Sequence, residues 1–363
     1  MAETSVAMKV GEEAAAAVSY TRYPPQRVLG VAAMRRGSRL GRATDYWGAV
    51  ASGLRIDGPA GSAVDGFNMS IRGDSFTLAL DVNCALGESP VWVPERGLLI
   101  FVDISGRKLY RYDTEANEVE HVSVDEDIGC VAVARGGGYV AGLRSGVWLL
   151  NESGTKRRKL VTNPEDQATS RFNDGRVDPA GRYLTGTLDE SKKVGNAGLY
   201  RCDSRGLVRL DKGFMTSNGL AFSPDGRTLY FSDTPRFVIY QFDYDPASGE
   251  ASNRREFARI EPTATDRGRP DGAAVDAEGC YWSSLYEGSR VARFDPSGKL
   301  MSTHALPVRC PTMPAFGGAD LKTLFVTTAR DKSPPEGVGA GGQVYSLRVD
   351  VPGLPNPLFN PQI

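Results

Sequence analysis

The sequence predicts an all-β protein: a six-bladed β-propeller in which a strand from the N-terminal side closes the last blade. Six turns recur at steps of 42, 43, 45, 53 and 42 residues, which is the length of a four-stranded blade rather than of a helical repeat. Short runs rich in β-branched and aromatic residues follow these turns. No long segment with a 3.6-residue period competes with them.

Two sets of strands recur from blade to blade. The first set follows the turns and reads LLIFVDI, YVAGL, TLYFSDT and CYWSSLY. The second set alternates apolar and polar residues, which is typical of half-buried strands, and we interpret it as the second strand of each blade. Its members are KLYRYD, GVWLLN, GLYRCD, VIYQFDYD, RVARFD and QVYSLRVD.

The strand that closes the propeller is predicted to come from the N-terminal side of the blades. Met69 opens a segment that contains FTLALDV, whose alternation can supply a strand beside QVYSLRVD in the last blade. Such pairing removes two exposed sheet edges. The propeller domain is therefore expected to span residues 69–363.

Residues 1–68 differ from the rest of the chain. They are rich in Ala, Gly and Arg and show no blade pattern. We expect a disordered leader or an upstream start codon assigned in error. The functional alternative is a targeting segment or an arm that binds a partner.

Charge and composition exclude several classes of protein. The 363 residues hold 43 Lys and Arg against 44 Asp and Glu, which gives no electrostatic footprint for nucleic acid or for an anionic membrane. The sequence contains no run of about 18 apolar residues, so no membrane span is predicted. Its N-terminus lacks a basic segment followed by an apolar one, so no secretory signal is predicted. The five cysteines form no CxxC pair, so a reduced cytoplasm is the simplest setting. We favour a monomer.

Oxygen-bearing side chains recur at one register of the repeat, about six residues before the turn. Because equivalent positions of a repeat protein fall on one ring, four such side chains can converge on a cation. Each motif alone (NDG, SNG, PDG) is an ordinary turn signal, but turn formers have no reason to keep one register across four blades. The four are Glu88, Asn173, Asn218 and Asp271, and the other two repeats place Ile128 and Met313 (or Thr312) there as an apolar wall.

The ligand types limit the chemistry. Glu, Asn and Asp oxygens suit Ca²⁺, Mg²⁺ or Mn²⁺, and Zn²⁺ less naturally without His or Cys. The two histidines, His121 and His304, lie outside the register, which disfavours His-dependent hydrolases such as those with a serine triad. The Gly-rich stretches RGGGYV and GVGAGGQ open no helix of a βαβ unit, so they are interpreted as turns.

Several long motifs resemble the senescence-marker-protein/gluconolactonase/regucalcin family of six-bladed propellers. The motifs are LGESPVW, SRFNDGRVDPAGRYLTGTLDE, SNGLAFSPDGRTLYFSDT, RPDGAAVDAEG and the final FGG and LFVTTARD, which span about Leu80 to Val349 in the family's order. The resemblance implies one divalent metal ion in the central channel, with its identity open among Ca²⁺, Zn²⁺, Mn²⁺ and Mg²⁺. It implies the ligands Glu88, Asn218 and Asp271.

The same resemblance implies the residues that contact a sugar lactone. They are Arg171 and Asn173 of the RxND motif, with Asp174 beside them. One departure is the connection SKKVGNAGLY, which is shorter than in the animal members and resembles bacterial aldonolactonases. The acidic residue that the family places on the substrate is approximated here by Asp189 or Glu190.

The implied activity is the metal-dependent hydrolysis of a sugar lactone to the aldonic acid. A cation can polarise the lactone carbonyl and lower the pKa of a bound water. Asp271, touching both cation and water, is the candidate general base. Two alternatives stay open: another esterase or phosphotriesterase on the same scaffold, and a propeller that only binds calcium or a protein partner.

Overall fold

The computed structural model describes residues 21–22, 75–264 and 266–363 of the chain. Its strands form six antiparallel sheets in chain order, so the predicted all-β six-bladed propeller is confirmed. Within the described residues the only helices are two short 3-10 turns, Pro94–Arg96 and Thr234–Arg236. The inner strands pack against each other in sequence, and the inner strand of blade 6 contacts that of blade 1, which closes the ring.

Each blade has four strands, numbered from the channel outwards, and the sheet of blade 1 has a short fifth strand at its outer edge. Blade 1 is formed by Gly87–Val93, Leu98–Asp103, Lys108–Asp113 and Glu118–Ser123. Blade 2 is formed by Ile128–Val133, Tyr139–Leu143, Gly146–Leu150 and Lys156–Thr162. Blade 3 is formed by Ser170–Val177, Tyr183–Asp189, Ala197–Asp203 and Gly206–Phe214. Blade 4 is formed by Ser217–Phe222, Thr228–Asp233, Val238–Asp245 and Glu250–Arg259. Blade 5 is formed by Arg269–Val275, Tyr281–Tyr286, Arg290–Phe294 and Leu300–Ala305. Blade 6 is formed by Pro311–Gly317, Thr323–Thr328, Val344–Arg348 and Thr77–Leu80.

Blade 6 contains the predicted closing strand. Thr77–Leu80, from FTLALDV, pairs antiparallel with Val344–Arg348 as the outermost strand. Two residues of the predicted leader, Thr21–Arg22, pair with the outer strand of blade 1. The rest of the leader and the boundary at Met69 lie outside the described residues, so the division of the chain at that point stays a prediction.

The alternating runs occupy a different place in the blade from the one expected. KLYRYD and its equivalents form the third strand of each blade rather than the second. The reason is that the residues before each turn, which include the ring residues, already form the first, innermost strand. The longest step, 53 residues, falls between blades 4 and 5. It is explained by the ten-residue outer strand Glu250–Arg259 and the connection that follows it.

The core lies between adjacent blades rather than in one central mass. Six apolar clusters alternate with the blades, and each joins the facing surfaces of two neighbours. This burial fixes each blade's rotation about the channel, and hence the direction of the side chains that enter it. No disulfide contributes, because all five cysteines are buried and free.

The C-terminal segment after Arg348 crosses the end of the channel where the inner strands finish. Its backbone bonds successively to blades 5, 2 and 3: Ala277 N donates to Pro352 O at 2.8 Å, Phe359 N to Val133 O at 2.9 Å, and Asn360 N to Gly181 O at 2.8 Å. The opposite end of the channel, where the inner strands begin, carries the predicted ring residues. In the part of the chain that the structure describes, no helix is long and apolar enough to cross a bilayer.

Candidate functional site

All six inner strands are bulged close to the predicted register. The strand pairing shifts between Glu88 and Val91, and equivalent shifts occur in the other five blades. A bulge leaves an extra residue outside the ladder and turns its side chain. The backbone can therefore present side chains to the channel at one level without giving up the blade pairing on either side.

A continuous chain of hydrogen bonds joins blades 3, 4 and 5 across the channel. Arg171 Nη1 donates to Asn173 Oδ1 at 2.6 Å. Asn173 Nδ2 donates to Asn218 Oδ1 at 2.7 Å, and Asn218 Nδ2 donates to Asp271 Oδ1 at 2.5 Å. All four side chains are buried. The structure thus brings together three members of the predicted ring and the predicted substrate-binding arginine.

Glu88 reaches the site from blade 1. The next residue, Ser89, has a left-handed backbone with φ of 51°, and its Oγ accepts a hydrogen bond from Val131 N of blade 2 at 2.9 Å. This contact anchors the strained turn that directs Glu88. Burial, followed by the charges of Asp271 and Asp174, raises the pKa of Glu88 well above its usual range. Glu88 and Asp271 are therefore close enough to repel when both are ionised.

The pKa of Asp271 is raised for similar reasons. Burial, with the charge of Asp174 as the next cause, raises the pKa of Asp271 to about 8, although Arg269 and Lys192 act in the opposite direction. Two buried carboxylates that repel each other are stabilised by a bound cation. The described residues contain no cluster of three or more His, Cys, Asp or Glu side chains that could hold a metal. The available donors are instead two carboxylates and neighbouring carboxamide oxygens, a set that fits a hard divalent ion.

Asp174 is placed differently from its neighbours. Its Oδ1 accepts from Gly175 N at 2.6 Å, and its Oδ2 accepts from Leu220 N of blade 4 at 2.9 Å. Both oxygens are thus held by backbone N–H groups, and the bond from Leu220 ties blade 3 to blade 4. Asp174 acts on the ring through its charge, and direct contact with a substrate stays a prediction.

Glu190 lies on the rim of the channel end rather than in the ring. Its Oε1 accepts a hydrogen bond from Arg144 Nη2, which also bonds Asp127 at 2.8 Å. The adjacent Asp189 is used locally, because its Oδ1 accepts from Ser191 N at 3.0 Å and from Ser191 Oγ at 2.6 Å. A substrate role for Glu190 would need it to leave Arg144, and it stays a prediction.

The two apolar positions of the register are buried in the inner strands of blades 2 and 6. Ile128 and Met313 are 0% and 1% exposed. Met313 packs so tightly on Gly272, the residue after Asp271, that a Cβ added there would lie 2.5 Å from the Met313 Cβ. The alternative at this register, Thr312, instead donates its hydroxyl to Gly87 O of blade 1 at 2.5 Å.

Two residues at the site were not singled out from the sequence. Thr234 Oγ1 accepts from Asn218 Nδ2 at 2.9 Å and donates to Pro270 O at 2.8 Å, which links blade 4 to blade 5 behind the ring. No repeated pattern marks it. Arg269 precedes Asp271 by two residues, as Arg171 precedes Asn173, and a comparison of RFN with RPD would have found it.

Comparisons with known proteins give the relatives of this chain. Residues 86–330 match the family model described as the SMP-30/gluconolactonase/LRE-like region. The chain is 42% identical over 280 residues to 6-deoxy-6-sulfogluconolactonase of Pseudomonas putida, covering 76% of this chain and 94% of the relative. It is 40% identical over 254 residues to regucalcin of Xenopus laevis, covering 68% and 84% of the two chains.

A solved structure of a regucalcin is similar to this chain over most of its length. The calcium-binding protein regucalcin from Agrobacterium tumefaciens superposes with a TM-score of 0.73 at 25% identity, over 78% of this chain and 98% of the other. The region matched by the family model, residues 86–330, lies within the propeller.

Proposed function

Because the chain belongs to the SMP-30/gluconolactonase/LRE-like family, we propose that it is a divalent-metal-dependent enzyme that hydrolyses a sugar lactone to the aldonic acid. The observation that carries the proposal is the hydrogen-bonded chain from Arg171 to Asp271, facing Glu88 at one end of the channel. The relative from Pseudomonas putida, whose name describes a lactonase, supports the same reaction class.

Glu88, Asn218 and Asp271 are the residues that would hold the cation. Their donor types fit Ca²⁺, Mn²⁺ and Mg²⁺, with Zn²⁺ also open, and burial and neighbouring carboxylates raise the pKa of Glu88 and of Asp271, an effect that a bound cation would oppose. When bound, such an ion supplies polarisation of the lactone carbonyl and a lower pKa for an adjacent water. The regucalcin of Agrobacterium tumefaciens is described as a calcium-binding protein, which supports a metal in this fold.

Asp271 is the proposed general base. Asn218 Nδ2 occupies its Oδ1, whereas Oδ2 has no hydrogen bond to a described residue. That oxygen is available to take a proton from water as the water oxygen bonds to the lactone carbonyl carbon. The ring C–O bond then breaks and the leaving alkoxide takes that proton from Asp271, so the products are one carboxylic acid and one hydroxyl group and Asp271 is regenerated.

Arg171 is the proposed contact for the sugar. Its Nη1 is used on Asn173 Oδ1 and on Phe172 O, at 2.6 and 3.1 Å. Its Nε and Nη2 have no hydrogen-bond partner among the described residues, although the side chain is buried. A planar guanidinium held in this way offers two fixed donors to sugar hydroxyls or to the developing carboxylate.

The discriminating experiment is a hydrolysis assay of the metal-loaded protein on a panel of aldonolactones, aromatic esters and phosphotriesters, with released acid followed by a pH indicator. Turnover of aldonolactones above the other classes is expected, since the site is polar. Faster turnover of aromatic esters or phosphotriesters would favour the second hydrolase class. Metal binding without hydrolysis of any member would show a binding propeller.

A further inference from the structure

Arg269 occupies on blade 5 the position that Arg171 occupies on blade 3. Each lies near the start of its inner strand, two residues before a ring side chain, Asp271 or Asn173. Residues two apart in a strand lie close together along its length. The two arginines therefore approach the same end of the channel from two blades, separated by blade 4, which carries Asn218.

The guanidinium of Arg269 is held in position by neighbouring side chains, but not all of its N–H donors have a hydrogen-bond partner among the described residues. Its Nη2 lies 3.0 Å from Glu287 Oε2, and the group stacks over the Tyr286 ring at 5.0 Å. Its Nε is buried and has no hydrogen-bond partner among the described residues. A buried donor left unmet costs free energy that an acceptor from a ligand would recover.

Around Arg269, three arginines pair with two carboxylates, Glu287 and Asp331, and the nearby buried Asp271 adds a third negative charge that acts on Arg269. Glu287 is shared with two further arginines, Arg267 Nε at 3.7 Å and Arg309 Nη2 at 3.6 Å. Arg309 also pairs with Asp331 at 3.1 Å. Three guanidinium groups thus converge on one glutamate, and within the described part of the chain only Arg309 has a second carboxylate. Such an arrangement attracts an anion.

Resting on the lactonase function proposed above, we propose that Arg269 and the arginines around Glu287 form a subsite for an acidic oxyanion carried by the substrate. The shared chemistry is that of a sulfonate or a phosphate at the end of the sugar chain remote from the lactone carbonyl. The ring residues would hold the lactone, and the arginine cluster would hold the charged end. Guanidinium groups suit this task because their donors match oxyanion geometry.

Arg269 is then a specificity-determining residue, and the substrate is an acidic aldonolactone. A charge-assisted hydrogen bond of this kind changes affinity by about 10- to 100-fold. Because the cluster is partly open to solvent, the preference should weaken as salt screens it.

The test compares three six-carbon aldonolactones that differ only at the last carbon, which carries a hydroxyl, a sulfonate or a phosphate. The metal-loaded full-length enzyme should prefer one of the two anionic substrates in kcat/KM, and the preferred one identifies the group. In Arg269→Gln the preference over the hydroxyl lactone should fall about 10- to 100-fold, mainly through KM. Arg269→Lys should retain part of it, since the charge remains.

Arg290→Gln is the matched control. Arg290 lies in the same blade and pairs with Asp266 at 2.7 Å rather than with Glu287. Its removal should leave the preference unchanged. The subsite is refuted if the wild-type enzyme treats all three lactones alike, or if Arg269→Gln slows all three equally.

The two proposals can fail separately. If none of the lactones is hydrolysed, the lactonase function is wrong, and calorimetric titration with inorganic sulfate and phosphate still tests the subsite. Binding by the wild-type protein that weakens at least tenfold in Arg269→Gln but not in Arg290→Gln would support the anion site. Equal binding by all three proteins, or none, would overturn it.

Discussion

Asn218 determines the geometry of the site at the scale of single residues. Its carboxamide accepts from Asn173 and donates both to Asp271 and to Thr234. The side chain therefore cannot rotate without breaking contacts to blades 3 and 5. This fixed carboxamide holds one oxygen of Asp271 and leaves the other free for chemistry.

Asp271 and Glu88 should respond differently to neutralisation. Asp271→Asn is expected to lower kcat about 100- to 1,000-fold and metal affinity by less, because Asp271 has two proposed roles. Glu88→Gln should lower both quantities together, since its proposed role is ligation alone. Metal titration paired with steady-state kinetics checks this. Parallel losses in both variants would remove the special role of Asp271.

Arg171→Lys should raise KM for sugar lactones much more than for a small unsubstituted lactone. Lysine keeps the charge but loses the planar fork, whose Nε and Nη2 donors have no hydrogen-bond partner among the described residues and are the proposed contacts for substrate hydroxyls. Steady-state kinetics on the two lactones measures the difference. A uniform effect on both would mean that Arg171 only supports Asn173.

The metal-free protein should become less stable as pH rises. Burial and Asp174 raise the pKa of Asp271 from 3.8 to about 8, so the folded state binds this proton more tightly than the unfolded state. Its contribution is complete below about pH 4 and is lost as pH rises towards 8. Melting curves of chelated protein between pH 5.5 and 8.5 should show this fall, and Asp271→Asn should flatten it. A wild-type slope no steeper than that of Asp271→Asn would contradict the assignment.

At the scale of elements, the bulged inner strands show what the sequence could and could not reveal. Repeat spacing predicted the six blades, and one shared register pointed to Glu88, Asn173, Asn218 and Asp271, of which the last three are joined by hydrogen bonds in the structure. The bulges leave no mark in the sequence, because they arise from pairing between strands. The backbone contacts of Asp174 likewise depend on a partner 46 residues away, Leu220, that no local pattern identifies.

The closing strand of blade 6 should be required for folding. A chain that starts at Asn83 lacks Thr77–Leu80, exposes the edge of Val344–Arg348, and loses the buried side chains of Phe76 and Leu80. We expect a melting temperature lower by roughly 10 °C, or insolubility.

A chain that starts at Met69 is the control. It keeps the strand and, among the described contacts, gives up only the two-residue pairing of Thr21–Arg22 with blade 1, so it should retain kcat/KM and nearly the full melting temperature. Thermal unfolding of both chains makes the comparison. A large loss in the chain from Met69 would show that residues 1–68 pack on the propeller.

At the scale of the whole molecule, the propeller separates stability from chemistry. Apolar clusters between blades fix the ring, and the C-terminal segment crosses the end of the channel remote from the site. That crossing was not predicted, because the segment is rich in Pro and has no strand alternation. Phe359, buried against Tyr183 at 6.3 Å between ring centroids, shows that it belongs to the fold.

The central claim is that the cation held by Glu88, Asn218 and Asp271 is required for lactone hydrolysis. The direct measurement is turnover of an aldonolactone by full-length protein that has been stripped of metal and checked by elemental analysis. We predict that turnover falls to the uncatalysed background and returns, to different extents, with Mn²⁺, Mg²⁺, Zn²⁺ or Ca²⁺. Wild-type turnover by the fully stripped protein would contradict the account.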